Sequence, residues 1–558
     1  MRFTKFLIAL VFPIAVSCTE DVITTIDPDD VDTVDITDTT ADRTVNITFT
    51  NSGDAIVSGT GDNVSATVDG NGVTITNTGT EKVTYYLDGS TTDGYLKIYS
   101  GRKQCIVLNS VQLANSRGAA INVQGPTDTP NKGKRVDLLL HGSSTLSDGS
   151  NYIATPTEED EKGVVFSEGQ IVLSGSGDLT VNAQGKSGIV SDDWVQIVSG
   201  EVHVVSSAGH GIRGKDYILV SGGDIDVTVS ADGKKGFSSD SLVRIDGGTT
   251  HMTISGNTIV STEDGVRDTS GTAGVKADQL FEMNDGVLTI TNSGRGGKGI
   301  SCDGPAYFRG GAVTITVTGQ NFGSSGGGGG WGGWGSNNNS VGAKGIKADG
   351  NIEISGGTIV VTASNHEGIE TKGTLTISGG EVYSQSSDDA INSASTMTIE
   401  GGYVCAYSTG NDGIDANGNC YIKGGVVYAI GKAQPEMAID ANTEGGYKLY
   451  IQGGTLIAIG NLENGSQLSQ TCYQASSWSK NVWYSITVGD ATYAFKTPSS
   501  GGQRLIVSGA QQPVVKSNVT VSGGTERCNA MLNENPTTSG GSNVSITTYS
   551  GGNSGGWH

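Results

Sequence analysis

The chain has 558 residues, with 57 acidic against 34 basic side chains, a formal charge of −23, and 87 Gly beside only 10 Pro. That balance argues against nucleic acid, which requires a basic face, and Gly at this level without a triplet period is not collagen. Mixed with abundant Thr, Ser, Val and Ile, the glycines predict many short strands joined by tight turns.

The first residues, MRFTKFLIALVFPIAVSC, set Arg2 and Lys5 before a short apolar segment and a small-residue box ending at Cys18. Residues 1–17 read as a signal peptide. The Cys at the cut makes it a lipoprotein signal, with the chain lipidated on Cys18 and anchored to a membrane that it does not span. An ordinary secretory signal with an incidental Cys is the alternative. Residues 18–42 form an acidic tether: within 19–42 there are nine acidic residues and no basic one, which is too charged to bury a core. No later apolar run is long enough to cross a bilayer. The expected location is the outer membrane and surface of a Gram-negative cell.

From residue 43 the pattern is strand-like. Runs such as VNITFT, YLKIYSG and VDLLLHG form irregular early coils up to about residue 187. A repeat then sets in, marked by Ile189, Ile212, Phe237, Val275, Ile300, Ile346, Ile369, Ile391, Ile414 and Ile439. Most intervals are 22–25 residues, and insertions at 257–272 and 319–342 lengthen two of them. Such a period marks a solenoid. Within KGIKADGNIEISGGTIVVTAS the apolar or small residues Ile346, Ala348, Ile352, Ile354, Ile359 and Val361 fall into three pairs of period two, hence three short strands and no helix. The Gly-Gly pairs 356–357, 379–380, 401–402 and 424–425 supply the turn before the third strand. The predicted fold is all-β: a right-handed parallel β-helix solenoid over 43–465, with a small β-rich cap and a Gly/Ser-rich tail over 466–558 closing its end. Six cysteines follow Cys18 without the paired spacing of a zinc or disulfide framework. Cys302 and Cys420 are expected inside, and Cys405 outside.

Stacked coils turn each repeat position into a column with the strand spacing of about 4.8 Å. The residue after the marker Ile is Glu370, Asn392, Asp415 and Asp440 in the late coils, and two before it stand Glu367, Asp389 and Asp412. The stretch NDGIDANGN (411–419) belongs to this acidic wall. Adjacent carboxylates repel by about 1 kcal/mol even in water, and converging hard oxygens suit Ca²⁺. The seven residues are therefore candidate calcium ligands, with turn-capping by Asp and Asn as the plain alternative. Another column, Asp240, Asp278, Asp303 and Asp349, reads first as turn-capping. Tyr383, Tyr403 and Tyr428 lie on adjacent third strands and are candidate sugar-stacking rings, or ordinary strand tyrosines. Trp331 and Trp334, in the Gly/Trp-rich loop 319–342, read either as a sugar clamp or as a low-complexity insert.

The runs HGSSTLSDGSNY (141–152), IVLSGSGDLTVNAQGKSGIVSDD (171–193), HGIRGKD (210–216), SDDAINSAS (387–395) and NDGIDANGN resemble a bacterial carbohydrate-binding β-helix family first described from a cellulosome-producing clostridium. That family is similar in fold to polysaccharide lyases of the pectate-lyase type. The resemblance covers roughly residues 45–510. It implies binding of cellulose and of acidic sugars such as polygalacturonate, with bound calcium, and places the acidic turn motifs on Asp389, Asn392, Asp412, Asp415 and Asp440. The tether, the Gly/Trp loop and the weak terminal region depart from it.

The expected activity is therefore that of a monomeric, non-catalytic surface lipoprotein binding acidic or cellulosic polysaccharide with calcium, and no nucleic acid. A polysaccharide lyase is the first alternative, with Lys347, Lys372 and Arg213 as candidate catalytic residues, although fold similarity alone does not license chemistry. An adhesin or structural rod is the second. A hydrolase using two carboxylates has no specific support.

Overall fold

Alternation of period two sorts each coil into an inside and an outside. In the coil opening at Lys344, the residues Ile346, Ala348, Ile352, Ile354, Ile359 and Val361 are buried to within 1% of full burial, while Lys347, Glu353 and Val360 between them face outward. In a computed structural model describing residues 41–156, 159–263, 266–323 and 340–551, this pattern builds an all-β architecture with no helix among the described residues. Cys18, the signal segment, Trp331 and Trp334 lie outside the described residues. All elements below belong to the unit Thr37–His558.

Three long ladders run through the repeats. First strands form a 14-stranded sheet ending at Ile414–Ala416, parallel throughout after an opening hairpin of Val64–Asp69 with Asn71–Asn77. Second strands stack to Leu449–Ile451, and third strands to Thr455–Ile459. The register is the predicted one. Ile346 lies opposite Ile369, Ile369 opposite Ile391, and Ile391 opposite Ile414. Bridges continue from Ile414 to Ile439 and from Ile439 to Leu462. Long parallel sheets of this kind are the stuff of a β-helix solenoid. Cys302 and Cys420 are fully buried inside the stack.

The second Gly of each Gly-Gly pair adopts a left-handed backbone, with φ between 76° and 78° at Gly357, Gly380, Gly402 and Gly425. Space forbids a side chain there as well: a Cβ on Gly402 would lie 2.6 Å from Gly380 O. One long insertion is an antiparallel hairpin, Ile259–Glu263 with Val266–Ser270.

The end is closed in two ways. Leu505–Ser508 pairs antiparallel with both Thr455–Ile459 and Cys472–Ala475. A six-stranded antiparallel sheet within 483–543 then lies against the outer side of the third ladder, where Tyr383, Cys405, Tyr428 and Ile457 pack with Tyr484, Ile486, Phe495 and Leu532. Cys405 thus points away from the coil interior, as expected, yet is only 2% exposed because this sheet covers it.

Candidate functional site

The outward face of the first ladder brings the predicted acidic columns together. Lys347, Glu370, Asn392 and Asp415 are consecutive register partners. The seven candidate ligands nevertheless divide into two groups. Glu367 and Glu370 are held by Lys344, whose Nζ lies 3.4 Å from one and 2.5 Å from the other, and Lys372 adds a bond of 2.8 Å to Glu370. Burial alone would raise the Glu370 carboxyl, but the two ammonium groups outweigh it and hold the pKa at about 2. His366 Nδ1 also faces Glu367. An ammonium thus separates these two glutamates from the aspartates of the later coils, while Glu367 forms a cluster of its own with His366 and Asp388. The flanking cation is Lys344; Lys347 is drawn off to Asp349 at 2.7 Å.

The second group has no such counter-charge among the described residues. Asp412, Asp415 and Asp440 each offer an oxygen within 4.8 Å of the others'. Asn392 Nδ2 donates to Asp389 at 2.9 Å and to Asp415 at 2.8 Å. Asp389 accepts the Asp412 N–H, and Asp412 accepts the Met437 N–H at 2.5 Å. Burial is the main cause that pushes Asp389 up to about 6, Asp412 to about 8 and Asp415 to about 7, with neighbouring carboxylates adding to it. Asp440 is raised by burial and by a hydrogen bond with Glu463. Glu463 is a member of the cluster that the sequence reading missed. It follows Leu462, which lies 23 residues after Ile439, so the repeat interval was the signal that could have found it. Three carboxylates with oxygens this close, two more beside them and no ammonium among the described residues fit a hard divalent cation.

Earlier coils of the same face are basic. A cleft of about 450 Å³ is lined by Arg213, Lys235, Lys276, Lys298 and Lys347 among others. The aspartate column read as turn-capping instead neutralises part of this set. Asp240 takes Arg213 through two bonds of 2.8 and 2.9 Å, Lys276 bridges Asp278 and Asp303, and Asp349 takes Lys347. Lys235 and Lys298 have no carboxylate within ion-pair distance among the described residues. Among the described residues Lys235 Nζ donates to Gly233 O and Ser270 Oγ. Burial first, and neighbouring lysines second, lower both ammonium groups to about 8. These two lysines are further site residues that the sequence reading did not single out. All three predicted lyase residues, Arg213, Lys347 and Lys372, are tied into ion pairs.

A family model described as a carbohydrate-binding domain-containing protein matches residues 69–390, more than half of the chain. The chain belongs to this carbohydrate-binding domain family. A carbohydrate-binding domain-containing protein of Acetivibrio thermocellus is 27% identical over 123 residues, which are 22% of this chain and 41% of that relative. The match thus spans less than half of the relative's own length. A solved structure of a polysaccharide lyase-like protein from C. thermocellum, a gadolinium derivative, is 22% identical, covers 48% of this chain and 96% of that one, and has a TM-score of 0.38. The segment matched by the carbohydrate-binding domain family holds the whole basic cleft and stops where the aspartate cluster begins.

The predicted aromatic platform of this family member is not on its surface. Tyr428 is 0% exposed and Tyr383 4%. Tyr428 Oη donates to Lys496 O at 2.9 Å, and its ring meets Phe495 edge-on at 5.4 Å. Tyr403 is half-buried, with the Arg527 guanidinium 4.6 Å from its ring centre. The rings do point out of the coil, but the C-terminal sheet sits on them. Tyr421 and Tyr450, on the second ladder, stack on each other at 4.7 Å, so each hides one ring face in the other.

Proposed function

We propose that this member of the carbohydrate-binding domain family holds an acidic polysaccharide of the polygalacturonate type along its first ladder, with calcium at Asp389, Asn392, Asp412, Asp415 and Asp440, and without catalysis. The observation that carries the reading is the sign change along one pair of columns. Lys298, Lys344, Glu367, Asp389 and Asp412 occupy one column in successive coils, so cationic cleft and aspartate cluster share a straight track. Four strand spacings, about 19 Å, separate Lys298 from Asp412. A polyuronate lying on this track would meet ammonium groups at one end and, at the other, a cation bridging its carboxylates to the aspartates. The right-handed coil sense, the lipid anchor on Cys18 and display at the cell surface belong to the same reading. They are supported by the N-terminal sequence and by the repeat.

Separation also weighs against calcium-assisted elimination. A lyase needs its base and its charge-neutralising cation on one sugar, and about 19 Å is several sugars apart. One observation favours a second reading as lyase: Lys298, an ammonium with pKa near 8 and no ion-pair partner in the cleft, has the properties of a base. The test follows absorbance near 232 nm together with pull-down on insoluble polygalacturonate, in calcium and in chelator. Calcium-dependent pull-down without unsaturated product is expected. A rise at 232 nm would establish the lyase, and pull-down indifferent to chelator would remove calcium from the reading.

A further inference from the structure

The first coils carry another cleft, of about 490 Å³, on the same outward face but with different chemistry. Its floor is an aromatic ring. Tyr95 lies opposite Gly72 in the ladder, and a Cβ on Gly72 would come within 2.6 Å of Tyr95 Cε1. The tyrosine ring therefore fills the place where the neighbouring strand has no side chain. The wall repeats the device: a Cβ on Gly118 would lie 2.9 Å from Glu161 Oε1. That oxygen accepts the Ala119 N–H at 2.9 Å and Asn122 Nδ2 at 3.5 Å, whereas Oε2 accepts no hydrogen bond among the described residues. Burial raises the Glu161 carboxyl. At the mouth, Arg117 and Asp93 stand 3.7 Å apart and largely exposed.

This is not a second polyanion site. The cleft's lysine, Lys97, is already bonded to Glu159, and Asp93 answers Arg117. What remains is a ring, a carboxylate oxygen without a partner among the described residues, and a guanidinium–carboxylate pair. A ring offers an apolar face for the C–H side of a sugar, and carboxylate and guanidinium groups suit its hydroxyls. The volume lies in the range of small-ligand pockets.

We infer that this cleft binds a neutral pyranose unit of a glycan through Tyr95 and Glu161, without calcium. The inference goes beyond the polyuronate reading and does not depend on it. The test is calorimetric titration of the folded chain, in chelator, with neutral β-linked hexasaccharides of glucose, xylose and mannose. At least one is expected to bind. Tyr95→Ala should weaken it about tenfold, the scale of a lost aromatic contact with its buried area, and Tyr95→Phe should retain it. Glu161→Gln should weaken it several-fold. Calcium-dependent pull-down on polygalacturonate serves as the fold control and should stay unchanged in all three variants. If wild type binds none of the hexasaccharides in chelator, or if Tyr95→Ala binds as wild type does, the inference is wrong. Loss of polygalacturonate binding by wild type would overturn the polyuronate reading alone.

Discussion

Lys344 decides the character of the acidic wall. By standing between Glu367 and Glu370 it converts two buried carboxylates into an ion-pair network, whereas the aspartates two to four coils on have no counter-charge among the described residues. Removing one partner of a buried pair leaves the other charge uncompensated, at a cost of about 3 kcal/mol or more. Lys344→Met is therefore expected to lower unfolding stability by that amount in a denaturant titration, whether or not calcium is present. Asp415→Asn should behave differently. It keeps the shape and removes one charge from a site where burial and repulsion already disfavour ionisation. Its melting temperature in chelator should match or exceed wild type, while the rise that calcium gives wild type should be lost. An equal response to calcium in both proteins would show that Asp415 serves only its loop.

At the scale of the element, the first ladder sorts cations and carboxylates by coil. Lys235 and Lys298 hold folded pKa values near 8, against the ordinary 10.5. Below about 8 both are charged in folded and unfolded chains, and the folded state bears the full cost of the unpaired charges. Between about 8 and 10.5 the unfolded chain binds more protons, so stability rises with pH in that window. On the proposed function binding runs the other way, since an acidic oligosaccharide would need the ammonium forms. Its affinity, measured by titration in chelator, is expected to fall as pH passes through about 8, and Lys298→Ala should flatten that profile. The turns of the ladder are equally specific. Gly402 needs a left-handed backbone and approaches the Gly380 carbonyl too closely for a Cβ. Gly402→Ala should cost about 1 kcal/mol or more in stability, without changing ligand affinity per folded molecule.

Over the whole unit, the C-terminal sheet is more than an end plug. It covers an apolar strip of Tyr383, Cys405, Tyr428 and Ile457 that successive third strands would otherwise show to water. A chain ending at residue 475 should expose this strip. Strong binding of an apolar dye and concentration-dependent association by size-exclusion chromatography are the expected results. Cys528 fixes the sheet through two contacts with the third ladder, its N–H to Glu381 at 2.6 Å and its Sγ to Val382 O at 3.6 Å.

By itself the sequence determined the coil. Period-two alternation and the Gly-Gly turns name the strands, and the marker residues from Ile346 to Ile439 give a register that the ladders reproduce. This is possible because a repeat contacts only its neighbours, so local pattern and long-range contact are the same information. Leu462 and Glu463 lie one further interval beyond Ile439 and are legible from the same period. Tertiary structure decided what happens across columns and between repeat and non-repeat. Whether Glu370 meets a metal or Lys344 depends on side-chain reach across strands, which no spacing states. Whether Tyr428 faces water depends on a sheet joined to it only through a distant, non-repeating part of the chain. Outward from a coil is a local property, whereas exposed to solvent is a global one, and only the second makes a binding surface.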